Sequence, residues 1–93
     1  MEITQHNDEK RGIFKAIEKN KEAGEMTYTW AGQTKFIIDH TDVSPEFKGK
    51  NVGKQLVMHA VEYARANNLK IMPLCPFAKS VFDKNEEIKD VLF

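Results

Sequence analysis

The chain has 93 residues, enough for one domain spanning residues 1–93 and too few for two. Its hydrophobic fraction of 41% and charged fraction of 30% exclude an intrinsically disordered segment. Fourteen Lys and Arg balance fourteen Asp and Glu, so no overall field favours nucleic acid or an anionic membrane, and an RNA-binding reading has little support.

The first half reads as strands. Glu2 to His6 is short and alternating, and Asn7-Asp8-Glu9-Lys10 makes a turn. Gly12 to Glu18 is a second strand, with Ile13, Lys15 and Ile17 opposite Phe14 and Ala16. Asn20-Lys21-Glu22-Ala23-Gly24 has turn chemistry, and Met26 to Ala31 is rich in Thr and aromatics, which suit a pleated surface. Gly32-Gln33 leads into a strand from Lys35 to Val43. Its apolar start, Phe36-Ile37-Ile38, predicts a central position covered on both faces. Turns this short imply an antiparallel meander.

The period then changes. Val52, Leu56, Ala60 and Tyr63, with Gln55 and His59 along the same stripe, predict a helix from Lys50 to about Asn67, stopped at Asn67-Asn68. Lys70 to Leu74 is a short strand, and Cys75-Pro76 opens a second helix through about Asn85, with Pro76 at the favoured first position. Ile88 to Phe93 fits either a strand or a helical turn. The expected fold class is α/β with a mixed sheet: an antiparallel amino-terminal meander followed by a β-α-β-α unit.

Strand Lys35–Val43, helix Lys50–Asn67 and strand Lys70–Leu74 form a β-α-β unit with parallel strands. Open α/β sheets bind ligands at the carboxyl edge of such strands. Three polar features converge there: His40-Thr41-Asp42, the loop Lys48-Gly49-Lys50-Asn51-Val52-Gly53-Lys54, and Cys75. The three lysines crowd a helix N-terminus, where each is mildly unfavourable unless an anion binds. Free amides there, with Gly49 and Gly53 permitting close approach, suit a phosphate. A solvated glycine-containing turn is the alternative. No Ser-His-Asp order, metal-ligand cluster or full P-loop is present, and the lone Cys75 excludes an internal disulfide framework. No secretory leader is visible at Met1 and no apolar run approaches a membrane span of about 18 residues, so a cytoplasmic domain with no membrane partner is expected.

At this loop, Val43-Ser44-Pro45-Glu46-Phe47-Lys48-Gly49-Lys50-Asn51-Val52-Gly53-Lys54-Gln55-Leu56 resembles the GNAT superfamily of acyl-CoA-dependent N-acetyltransferases. In that family a strand ends in Val-x-Pro, an aromatic and a basic residue follow, and a glycine signature leads into a helix. The resemblance implies that acetyl-CoA or coenzyme A is the cofactor. The amides from Lys48 to Lys54 would hold its pyrophosphate, and backbone from Thr41 to Val43 would line the pantetheine arm. Asn51 replaces the middle glycine, a change that a left-handed backbone tolerates in Asn better than in most residues. Without the family's helices after the first strand and without its last strands, the chain is similar to the short single-domain subgroup of predicted acetyltransferases. The tyrosine that in many relatives protonates the departing thiolate would fall at Phe82, which has no proton to give.

Three residues are candidates for catalysis. Cys75, at a helix start that lowers a thiol pKa, would accept an acetyl group or relay a proton; it equally fits a small buried hydrophobe. His40 and Asp42 share one face of their strand, read as the face of Phe36 and Ile38, and would form a base and its orienter; they equally fit the polar end of a strand entering solvent. The expected function is transfer of an acetyl group to an unidentified amine, on a small molecule or a protein. The alternative is a CoA-binding or protein-interaction module without turnover. The amine acceptor and the oligomeric state are not legible.

Overall fold

A computed structural model describes residues 1–93. One five-stranded sheet runs in chain order through β1 (Glu2–Asn7), β2 (Arg11–Glu18), β3 (Lys21–Trp30), β4 (Lys35–Val43) and β5 (Lys70–Pro73). The first three pairings are antiparallel and β4 to β5 is parallel. The expected meander and β-α-β unit are therefore present, and the architecture is the mixed α/β fold anticipated. No helix is long and apolar enough to cross a membrane.

The first two turns show how local chemistry sets the register. Asp8 Oδ1 accepts from the amides of Lys10 at 2.7 Å and Arg11 at 2.9 Å, an Asx turn that closes the first hairpin. Those bonds to the Arg11 and Lys10 amides hold the Asp8 carboxyl below its ordinary range. The second hairpin is tighter than expected. Only Lys19 and Asn20 turn, at φ of 50° and 67°, the doubly positive conformation of a two-residue hairpin whose twist matches its strands. Lys21 to Gly24 is consequently strand rather than turn, and Glu18 faces Lys21 directly.

Helix α1 (Val52–Asn67) buries Val52, Leu56, Val57, Ala60, Val61 and Ala64 against the sheet. It stops at Asn68, whose left-handed φ of 56° lets its amide reach the Ala64 carbonyl. Helix α2 (Pro76–Lys84) adds Ala78, Val81 and Phe82 to the same core. On the sheet, Phe14, Met26, Tyr28, Phe36, Ile38 and Ile71 meet them, with Phe36 and Tyr28 ring centroids 4.8 Å apart. Tyr28 and Phe36 are both core residues, each 0% exposed. Coverage of β4 differs from expectation: it has a neighbour on each side, but only the Phe36–Ile38 face lies under helices, and Ile37 on the other face is half-buried.

The carboxyl-terminal stretch combines both forms left open. Glu86–Val91 is a 3-10 segment, and Leu92 then bridges Ile71. It is not a free tail. Arg65, paired with Glu62 at 3.2 Å one turn away, also reaches Asp90 at 2.7 Å and the Glu87 carbonyl at 2.7 Å.

Candidate active site at the β4–β5 junction

Strands β4 and β5 stay paired only from Lys35↔Lys70 to Ile38↔Pro73. The amides of Leu74 and Cys75 then both converge on the Ile38 carbonyl, at 3.2 and 3.1 Å, and the chain turns away into α2. From Asp39 to Val43, β4 is bonded to β3 alone. Its other edge is left with unpaired peptide groups, which favour an extended, amide-bearing ligand.

A bulge decides which side chains face that gap. Thr27 pairs with His40 and Tyr28 with Ile38, so Asp39 is an extra residue on β4. One inserted residue exchanges the faces of everything beyond it. Thr41 and Val43 thereby continue the helix-covered side, half-buried, while His40 and Asp42 are exposed on the opposite face. The pair does share a face, but not that of Phe36 and Ile38 as the alternation implied. Thr29 Oγ1 donates to Asp39 at 2.7 Å and holds the bulged residue outward.

On the helix side Thr41 meets Cys75, with Sγ 3.5 Å from Oγ1. Cys75 is the N-cap residue of α2 and is buried, 6% exposed. Burial pushes the thiol pKa up. The Thr41 hydroxyl, the amides of Ala78 and Phe77 and the Thr41 backbone together outweigh it and hold the thiol below its ordinary range. The position thus fits a thiol that ionises readily.

After β4, the 3-10 turn Pro45–Phe47 plugs Phe47 into the core, and the loop climbs to α1. Gly49 has φ of 84° and Asn51 has φ of 61° and ψ of 25°. Asn51 therefore adopts the left-handed turn that a glycine would otherwise supply. The amides of Lys48 and Lys50 are spent on the carbonyls of Pro45 and Phe47. Those of Gly49, Asn51, Val52, Gly53 and Lys54 have no acceptor within the chain, and the first helical bond comes only at Gln55 to Asn51, 3.0 Å. No side chain caps α1 and no acidic residue sits in its first turn. The positive end of a 16-residue helix is thus neutralised by nothing in the chain.

These amides open onto a cleft of about 550 Å³ between the loop and α2. It gathers Val43, Lys48, Gly49, Asn51, Val52, Gly53 and Lys54 from the expected residues. Lys50 is not among them: its side chain turns to the far side of the loop, with Nζ 5.5 Å from the Phe47 ring. Cys75, Thr41, His40 and Asp42 also lie outside the cleft, at the β4 gap. The opposite wall had not been anticipated. Phe77, Ser80, Val81 and Lys84 line it from α2, and their spacing of three and four residues, beginning with a phenylalanine that is 42% exposed, was the legible signal. Phe77 explains Gly53: a Cβ there would lie 2.7 Å from the ring. Close approach at Gly53 is therefore to a side chain of this chain, whereas Gly49 is needed for its φ.

No phenol stands on α2. Phe82 is buried at 1% exposure, and the two tyrosines are Tyr28 on β3 and Tyr63 on α1. The Tyr28 hydroxyl is occupied by Gln5 at 2.8 Å and Asn7 at 3.1 Å, beside the first strand.

A parallel strand pair that parts at Ile38, with an uncapped helix start and a basic cleft at its mouth, defines an α/β class that binds an extended, phosphate-bearing ligand at this edge. Residues 13–91 match the family model described as GCN5-related N-acetyl-transferase, and the chain belongs to that family. A GCN5-like protein of Staphylococcus aureus, solved by NMR, is 38% identical over 99% of this chain and 87% of its own, with a TM-score of 0.76. The fold is shared by a ribosomal-protein-alanine N-acetyltransferase of Brucella melitensis (16% identity, 83% and 62% of the two chains, TM-score 0.71). It is shared too by a Bacillus anthracis protein described as a candidate streptothricin acetyltransferase, in complex with acetyl coenzyme A (24%, 72% and 39%, 0.61). Among curated proteins no match is found. Membership bears out the resemblance read from the loop and carries the cofactor with it, acetyl-CoA or coenzyme A.

Proposed function

We propose that this chain is an acetyl-CoA-dependent N-acetyltransferase acting on a primary amine. The observation that carries the reading is the set of unspent amides of Gly49, Asn51, Val52, Gly53 and Lys54, flanked by the Lys48 and Lys54 side chains and open to the cleft. They would hold the pyrophosphate through backbone N–H groups and the helix dipole. The free edge of β4 from Asp39 to Val43 would receive the pantetheine amides as a neighbouring strand would. The bound cofactor supplies an acetyl thioester, with an electrophilic carbonyl and a thiolate leaving group.

The chain's own residues then divide between the two sides of the gap. On the open sheet face, His40 takes the proton of the attacking amine. Asp42, two residues on and about 7 Å along the strand, is exposed on the same face. On the helix side, Cys75 would face the cofactor's sulfur and give a proton to the departing thiolate. As a relay, its thiolate would attack the thioester carbon, forming S-acetyl Cys75 and releasing coenzyme A, whose sulfur would take up the thiol proton. Strand N–H groups beyond Ile38 would polarise the carbonyl.

The test begins with thermal shift against acetyl-CoA, coenzyme A, ATP and NAD. A ligand at a hundred times its Kd adds about 2.7 kcal/mol, and only the coenzyme A species should do so. Acetylation is then sought across an amine panel that includes small molecules and peptide amino termini. Loss of turnover in His40→Ala with retained cofactor binding supports the base. An acetyl adduct on Cys75 by intact mass makes it the relay, and unchanged activity in Cys75→Ala removes it from the mechanism. The buried Phe82 at the proton donor's position favours a second reading, a binding module; binding with no amine acetylated selects it.

A further inference from the structure

The two edges of the sheet are finished differently. Outside β5, Leu92 bridges Ile71 and the Phe93 amide bonds the Ile71 carbonyl at 2.9 Å, so part of that edge is covered. β1 forms the other edge. It pairs with β2 without interruption from Glu2↔Ile17 to Asn7↔Gly12, whereas β2–β3 and β3–β4 each contain a register shift. Its segment Glu2-Ile3-Thr4-Gln5-His6-Asn7 has no proline, no lysine and no bulge, the devices by which edge strands avoid joining other strands.

We propose that this edge pairs with the same edge of a second copy of this chain, antiparallel, about a two-fold axis at Thr4, making one continuous sheet across the dimer. Directly opposed residues in a sheet share a face, so the pleat allows only registers that match like faces. Ile3 and Gln5 lie on the helix face, opposite the buried Ala16 and Phe14 of β2; Glu2, Thr4 and His6 lie on the other. Centring on Ile3 or Gln5 shortens the paired length and leaves Glu2 or His6 facing Thr4. Centring on Thr4 sets Glu2 against His6 of the second copy at both ends, a carboxylate acceptor against an imidazole donor. It also sets Ile3 against Gln5 twice and Thr4 against Thr4, a pair that exchanges a hydroxyl hydrogen bond. Ile3, which packs only partly into the core, gains cover. The cofactor cleft lies beyond β4, so pairing at β1 leaves both clefts open.

Sedimentation of the intact chain tests this. The wild type should run at twice 10.7 kDa and fall to the monomer mass in Thr4→Glu. Within one chain Glu at position 4 faces Lys15 and is tolerated, but two such carboxylates would oppose each other at the axis. An unchanged circular dichroism spectrum confirms that the variant folds. In a Cys75→Ala background, Thr4→Cys should cross-link to a dimer on mild oxidation. His6→Cys should not, because its two copies lie four residues apart along the strands, about 13 Å. A wild type that stays monomeric at its highest soluble concentration overturns the proposal. So does a Thr4→Glu chain that remains dimeric, or cross-linking at His6→Cys as fast as at Thr4→Cys.

Discussion

The two halves of β4 have the same backbone form and opposite duties. From Lys35 to Ile38 the strand is bonded on both edges and sends Phe36 and Ile38 into the core. From Asp39 to Val43 it is bonded on one edge, and the bulge has exchanged its faces. The first half stabilises the fold by burying apolar surface; the second has no strand partner on one edge, whose peptide groups are left for solvent or a ligand. One strand can do both because the bulge separates them. Without it, His40 and Asp42 would point under the helices, and Thr41 could not meet Cys75.

Substitutions in the two halves should therefore separate stability from binding. Phe36→Ala removes a fully buried ring that lies tilted against Tyr28 and meets Trp30 edge-on at 5.7 Å. It should cost about 3–5 kcal/mol in denaturant unfolding, while the ligand-induced stabilisation of what remains folded stays near its wild-type size. Val43→Asp, in the second half, should do the reverse. Val43 is only half-buried and lines the cleft, so a carboxylate there should repel the anionic cofactor and abolish the acetyl-CoA thermal shift at a smaller cost in unfolding than Phe36→Ala. If the variant binds normally, the second half of β4 does not face the ligand.

The next largest effect belongs to the loop that the second half feeds. Asn51 holds φ of 61°, a conformation costing most side chains about 1–2 kcal/mol. Asn51→Val should weaken acetyl-CoA binding in calorimetric titration by roughly tenfold or more, as the unspent amides lose alignment and the stability falls by about that cost. Asn51→Gly should bind as well as the wild type. Equal binding by the valine variant would show that the amides, and with them the cradle, are not what holds the ligand.

Much of this organisation was legible in the sequence. Alternation along Gly12–Glu18, the stripe from Val52 to Ala60 and the Asn68 stop all express periods that the backbone enforces. The loop was legible because glycine, lysine and helix-start chemistry coincide over a few residues. What escaped has a common cause: it depends on partners far along the chain. The bulge at Asp39 is set by β3 opposite, so counting along β4 alone put His40 and Asp42 on the wrong face. Lys50 was grouped with Lys48 and Lys54 by spacing, but the Pro45–Phe47 turn rotates it away. The cleft wall from Phe77 to Lys84 meets the loop only once β5 has returned the chain. Asp90 pairs with Arg65 from more than twenty residues away, a contact that no local spacing shows.

The smallest effect sharpens the comparison at its boundary, where the second half of β4 meets α2. Thr41→Val keeps the shape and removes the hydroxyl 3.5 Å from Cys75 Sγ. Burial already raises the thiol pKa, so losing that hydroxyl should move the value up. The Phe77 and Ala78 amides remain and keep the change partial. Alkylation of Cys75 by iodoacetamide, followed against pH, should have a lower midpoint in the wild type than in the variant. The linked stability has a definite sign. A thiol whose folded pKa is depressed contributes stability above its unfolded value, lost as pH falls through the folded value. The Tm gap between wild type and Thr41→Val should thus widen from neutral to alkaline pH. A gap that stays constant would mean that the hydroxyl packs against Cys75 without favouring its thiolate, and the case for chemistry at that sulfur would rest on the helix start alone.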